Sequence, residues 1–183
     1  MAQHGADLRA KNKENGKTPF LYAAGAGGDK VLRPLFSLLK AKKPPLGLCS
    51  SLTETDNEGN AAIHLSLEYD GSDWGRFGGA FSANCTKILI ELGADLNLKN
   101  GKGESPLAIA ARTGVVQNVE LLLSKGADAN LKNPNTGQAP LHVAAGLGHK
   151  DCVEKLLLGQ IIKVDELDND KETPLHNVLC HIL

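Results

Sequence analysis

The chain has 183 residues, 42% of them hydrophobic and only 4% aromatic, a composition that permits a genuine core but not one built around a few large buried rings. Twenty Lys plus Arg stand against 21 Asp plus Glu, a formal net charge of −1; this excludes the basic footprint of a nucleic-acid binder, and the cluster Lys40, Lys42 and Lys43 is too short to restore it. No apolar run approaches the roughly 20 residues of a membrane span, Met1 to Arg9 lack a signal-like apolar segment, and Cys49, Cys85, Cys152 and Cys180 show neither CxxC pairing nor regular ligand spacing, so a soluble protein of the cytoplasm or nucleus with reduced thiols is expected.

In chain order, Met1 to Asp7, ending in Gly5-Ala-Asp7, reads as the close of a second helix whose first helix is absent. Thr18-Pro19 then opens a first helix, because a hydroxyl can accept from an orphan N–H and proline at the first helical position lacks a donor that would go unused. Gly25-Ala-Gly-Gly28 follows a helix and lacks the spacing of a phosphate loop, so it is an inter-helix turn. A second helix covers Val31 to Leu39, interrupted by Pro34, and the insertion Lys40 to Leu48 with Pro44-Pro45 predicts a short polyproline segment, either a docking peptide or a tolerated surface loop. A first helix begins again near Ala62, and a second inserted segment near 69–79, about 11 residues longer than the matching interval downstream, separates it from a helix over Cys85 to Leu92.

Leu and Ile at helical spacing place further second helices over Val116 to Leu123 and Cys152 to Leu158, with Gly93 and Gly126 as left-handed C-terminal caps. Ser105-Pro106 and Thr173-Pro174 repeat the opening seen at Thr18. The polar stretches Asn97 to Gly103 and Asn130 to Gly137 carry turn residues that predict a hairpin or extended finger. Asp168-Asn-Asp-Lys-Glu172 imitates the start of a calcium loop but lacks the central glycine and the closing glutamate, so no metal is expected there.

These pieces form a repeat. Gly16-Lys-Thr-Pro-Phe-Leu-Tyr-Ala-Ala24, Gly59-Asn-Ala-Ala-Ile-His-Leu-Ser66, Gly103-Glu-Ser-Pro-Leu-Ala-Ile-Ala-Ala111, Gly137-Gln-Ala-Pro-Leu-His-Val-Ala-Ala145 and Lys171-Glu-Thr-Pro-Leu-His176 align on Pro19, Ala62, Pro106, Pro140 and Pro174, spaced 43, 44, 34 and 34 residues. Leu89-Ile-Glu-Leu-Gly-Ala-Asp-Leu-Asn97 and Leu122-Leu-Ser-Lys-Gly-Ala-Asp-Ala-Asn130 supply a second motif. The TPLHxAA and LLLxxGAD patterns resemble the ankyrin-repeat family over almost the whole chain. The resemblance implies an all-α solenoid of helix-turn-helix units, 1–183 forming a single domain of about five repeats with incomplete ends, and hence either an excised fragment or a chain with unusual caps.

The same resemblance implies a monomeric protein-interaction scaffold without cofactor or catalysis, binding another protein through a concave face of fingers and first helices. Alternatives are the substrate-recruiting part of a larger enzyme, such as a ubiquitin ligase, a kinase or a pathogen effector, and a stand-alone inhibitor. His64, His142 and His176 share the histidine slot of TPLH, which in this family bonds the adjoining turn. Candidate contact residues are Asn100, Lys102 and Asn135 on the fingers, and Trp74, Arg76 and Phe77 in the inserted segment, since Trp and Arg are enriched in binding hot spots; the competing reading has Trp74 and Phe77 folding back on the stack. Asn97 and Asn130 lie at the finger asparagine that asparaginyl hydroxylation can modify in ankyrin proteins, or else serve turn geometry. Cys85 and Cys152 share a slot with Asn118 and read as small semi-buried residues.

Overall fold

A computed structural model describes residues 7–41, 50–68, 80–159 and 162–179. The inserted segment with Trp74, Arg76 and Phe77 and most of the Lys40 to Leu48 insertion lie outside the described residues. The helices are α1 (Pro19–Gly25), α2 (Asp29–Ala41), α3 (Ala62–Glu68), α4 (Ala80–Glu91), α5 (Pro106–Thr113), α6 (Val116–Ser124), α7 (Pro140–Gly146), α8 (Lys150–Gly159) and α9 (Pro174–Leu179). Thr18 and Ser105 cap as their sequence predicts: each hydroxyl accepts from the amide three residues on, Leu21 at 3.3 Å and Ala108 at 3.2 Å, ahead of a proline at the first position. Gly93 and Gly126 end α4 and α6 with positive φ of 94° and 87°, and the amides of Ala94 and Ala127 bond back to the carbonyls of Leu89 and Leu122, the six-to-one closure of a left-handed cap.

The short first helices α1, α3, α5, α7 and α9 stack on one another in order, and α2, α4, α6 and α8 form a second layer beside them. Helices of two turns are not stable alone in water; these persist because they are buried. Every residue of α3 from Ala62 to Leu67 and of α5 from Pro106 to Ala111 is buried. The run of alanines lets neighbouring backbones approach, where larger side chains would separate the layers. The outer helices bury one stripe only: Leu32, Phe36 and Leu39 on α2, Cys85 and Leu89 on α4, Val119 and Leu122 on α6, Cys152 and Leu156 on α8. These apolar groups form one continuous core. Each fully buried leucine contributes roughly 1.5–3 kcal/mol, and that burial depends on neighbouring units as well as on its own.

The fingers form no strand ladder: among the described residues the only β-type pairing is a single isolated antiparallel bridge, Thr55 with Ala61. Each finger closes instead on two backbone bonds at its opening residue. The amides of Asn12, Asp56, Asn100, Asn133 and Asp168 donate to the carbonyls of Lys17, Asn60, Glu104, Gln138 and Glu172 at 2.9–3.1 Å, and their carbonyls accept from the amides of Gly16, Gly59, Gly103, Gly137 and Lys171 at 2.8–3.2 Å. The side chain of the opening residue accepts from amides two or four residues ahead, as Asp56 does from Glu58 and Asn60. An Asn or Asp six or seven residues before the helix start is therefore a further repeat signal, which the proline-based alignment overlooked.

Candidate functional site

Neighbouring fingers are bonded backbone to backbone. The amides of Asn57, Gly101 and Asn169 donate to the carbonyls of Asn15, Glu58 and Thr136, each at 3.0 Å. The matching position of the fourth finger is Pro134, which has no N–H to give. There the acceptor, the Lys102 carbonyl, receives instead the side-chain amides of Asn133 and Asn135, both at 3.0 Å. Asn135 thus sits exposed on a finger but is bonded across to its neighbour. Asn100 is 6% exposed; its carbonyl oxygen accepts from Lys102 and Glu104 and its amide donates to Asn60 and Glu104. Lys102 is exposed like Asn135, its ammonium paired with Glu58 at 3.2 Å and held above the usual lysine range by that bond.

The asparagines singled out for modification play one part twice. The Asn97 carbonyl oxygen accepts from the Asp128 amide at 2.9 Å, and that of Asn130 accepts from the Lys163 amide at 3.0 Å, each tying one unit to the next.

The histidine slot serves as a cap where no hydroxyl does. In α3 and α7 the residue before the helix is alanine, and the ring three residues on turns back to accept its amide: Ala61 to His64 Nδ1 at 3.1 Å and Ala139 to His142 Nδ1 at 3.2 Å. The opposite nitrogen donates into the next finger, to Leu98 O at 2.8 Å and Glu166 O at 2.9 Å. At Thr173 both groups are present, and the hydroxyl meets His176 Nδ1 at 2.8 Å instead of acting alone. Burial holds the His64 ring below the usual imidazole range, outweighing the Leu98 carbonyl and the carboxylates of Glu104, Asp56 and Asp95. His149, without a partner visible in the sequence, bonds the Arg112 carbonyl at 3.1 Å.

With both nitrogens of His64 and His142 committed, neither ring is placed as a base. Burial pushes the Cys85 thiol up to about 11, aided by Asp29, and raises that of Cys152 as well, so neither is a ready thiolate. Burial alone would raise the Asp168 carboxyl, but the amides of Glu172 and Asp170 and the Gln138 side chain hold it below the usual range. It is a finger-closing acceptor, and no cluster of three or more His, Cys, Asp or Glu suited to a metal occurs among the described residues.

The fingers and the exposed sides of the first helices form one face of the stack, the inner face. It carries two hollows. One, of about 300 Å³, is lined by Lys17, Leu21, Tyr22, Gly25, Leu65 and Glu68. The other, of about 420 Å³, lies between α5 and α7 and is lined by Glu104, Ala108, Arg112, Val143, Leu147 and Glu172 among others. An ionic ridge separates them: Arg112 lies 3.0 Å from Glu104 and 3.5 Å from Glu68. These side chains are partly exposed, so the ridge adds little stability. Arg112→Met is expected to cost about 1 kcal/mol or less in urea unfolding; a loss comparable to a core truncation would make the ridge structural.

A solenoid of paired helices with stacked fingers and no assembled catalytic group among the described residues defines the class: a helical repeat protein that presents a surface. Sequence comparison gives the family. The family model described as ankyrin repeats (3 copies) matches residues 48–133, 76–168 and 119–181, and the chain belongs to the ankyrin-repeat family, as its motifs predict. Such repeats generally mediate protein–protein interaction and are typically not catalytic. The chain is 32% identical over 142 residues to alpha-latrotoxin-Lh1a of Latrodectus hasselti, covering 68% of this chain and 10% of the toxin. It is 32% identical over 133 residues to the ANK repeat-containing protein nipk-1 of Caenorhabditis elegans, covering 72% of this chain and 21% of that protein. Against the probable 26S proteasome regulatory subunit p28 of Saccharomyces cerevisiae it is 28% identical over 156 residues, 85% of this chain and 60% of the relative. The matched region is thus a minor part of the toxin and of nipk-1. No helix among the described residues is long and apolar enough to cross a membrane.

Proposed function

We propose that this chain is a non-catalytic protein-interaction module whose partner sits on the inner, concave face. The observation that carries the reading is a division of labour along each repeat. Most buried positions hold small or aliphatic types, whereas one slot that lines the inner-face hollows changes character from unit to unit, being Gly25, Glu68, Arg112 and Gly146, beside exposed Tyr22 and Leu147. Interior sameness is what stacking demands, and difference at exposed positions is what recognition demands. Lys102 and Asn135 on the fingers are proposed to border this face, and because the inserted segment follows Glu68, which lines a hollow, in sequence, Trp74, Arg76 and Phe77 are proposed to extend the same surface. The bonds of the rings and the raised thiols support the absence of catalysis, and the two buried free thiols support a reducing compartment, cytoplasm or nucleus. The near-neutral charge supports a partner that is protein and not nucleic acid, and a monomeric state is proposed with it. Hydroxylation of Asn97 or Asn130 would first require each to release its bond to the next unit.

A second reading, recruitment of a substrate for chemistry located elsewhere in a longer polypeptide, is favoured by the small share of alpha-latrotoxin-Lh1a and nipk-1 that the chain matches. Both readings are tested by placing a photo-crosslinking residue at Tyr22, at Leu147 or, as an outer-layer control, at exposed Glu154 on α8 and irradiating in cell lysate. Defined adducts from the first two positions and none from Glu154 are expected. Adducts from Glu154 alone would move the binding surface to the outer layer. Deleting Asp70 to Gly79 is expected to weaken the adduct at Tyr22 while leaving the unfolding midpoint nearly unchanged.

A further inference from the structure

We propose that the hollow between α5 and α7 receives an extended peptide segment carrying a lysine or arginine beside an aliphatic side chain, the cation meeting Glu172 and the aliphatic group covering Val143 and Leu147. The inference rests on the inner-face reading above and adds the chemistry of what binds there.

At about 420 Å³ the hollow has room for a few side chains but not for a folded domain edge. Its floor is small, Ala108 and Gly146, and its apolar wall is Val143, half-buried, with Leu147, half of whose surface faces solvent. Its charges do not balance. Arg112 is already shared between Glu104 and Glu68, two carboxylates to one guanidinium, so the ridge is left with net negative charge. Across the hollow the half-buried Glu172 contributes its backbone amide and carbonyl to the finger closure with Asp168, but its carboxylate makes no ion pair among the described residues. A half-buried glutamate in the lining of the hollow, with no ion pair of its own among the described residues, is complementary to an incoming basic side chain. The stem of a lysine or arginine can lie along Leu147 while its head reaches Glu172. An acidic segment would meet Glu104 and Glu172 in the lining, with the one lining guanidinium, Arg112, already engaged, and like-charge juxtaposition disfavours it.

The test is selection of a phage-displayed random peptide library on the full chain, followed by fluorescence anisotropy with the best synthetic peptide. Enrichment of sequences pairing Lys or Arg with Leu, Ile or Val is expected. Glu172→Gln and Leu147→Asp, each checked by circular dichroism and thermal unfolding, should each weaken binding about tenfold or more, and raising the salt concentration should weaken the wild-type complex. A charge exchange guards against a merely unfolded variant: Glu172→Lys should reject the basic peptide and accept its Lys→Glu counterpart. Enrichment of acidic or uncharged peptides, binding indifferent to both substitutions, failure of the charge exchange, or no enrichment at all would overturn the proposal. If the library fails while Tyr22 and Leu147 still yield adducts with a partner, the peptide class falls and the interaction module stands. If both fail, the inner-face reading falls with it.

Discussion

Gly59→Ala is expected to lower the free energy of unfolding by about 3 kcal/mol. Two effects add. The residue has φ +77°, where an L side chain costs about 1–2 kcal/mol. A Cβ there would lie 2.5 Å from the Gly101 amide nitrogen and 2.8 Å from its Cα, so two finger backbones must part, which costs about 1–3 kcal/mol on the scale of overpacked sites. The bond from Gly101 to the Glu58 carbonyl lies in the same place and would weaken too. Gly93→Ala is the control. Its φ is +94° but nothing lies within 4 Å of the added atom, so only the conformational part remains, about 1 kcal/mol. Urea unfolding of the two variants measures the difference directly, and equal losses would mean that finger stacking contributes little.

His64→Ala is expected to cost about 3 kcal/mol, because it leaves the buried Ala61 amide and Leu98 carbonyl without their partner and opens a cavity. Another repeat shows how to recover part of it. α5 has Ala108 in the histidine slot and Ser105 before the helix, the hydroxyl accepting the Ala108 amide, so the double variant Ala61→Ser/His64→Ala recreates that arrangement. It should recover about 1 kcal/mol through the helix cap and none of the tie to the next finger. Recovery of the whole loss would show that the Leu98 bond is idle.

The same ring sets a pH dependence. Its folded value is lowered from 6.5 by burial. As pH falls below 6.5 the unfolded chain takes up the proton before the folded one, so stability declines with acidification until the folded ring also titrates; above 6.5 both states are neutral and the contribution is level. Wild type should therefore lose more stability than His64→Ala between pH 7 and about 5, read from unfolding free energies at each pH. Parallel curves would remove His64 as the source.

Most of the local architecture was legible in the residues. Thr18-Pro19 and Ser105-Pro106 open helices and Gly93 and Gly126 close them because caps depend on neighbours only a few residues away, and the spacing of Pro106, Pro140 and Pro174 counted the units from α5 onward. The candidate site was less legible. Asn100 reads as an exposed finger tip, yet it is buried because Asn60 of the preceding finger reaches it. Asn135 reads as a contact residue, but it supplies the bond that Pro134 cannot. The ridge joins Glu68 to Arg112, the two hollows require facing helices, and the open carboxylate of Glu172 has meaning only opposite Leu147. What the sequence determined by itself was the repeat, its caps and its buried types, all governed by interactions within one unit or by a burial pattern common to every unit. What the tertiary structure decided was which polar side chains are consumed in holding one unit to the next and which are left facing out. That depends on residues one full repeat apart, whose encounter is set by the stacking and not by any local rule.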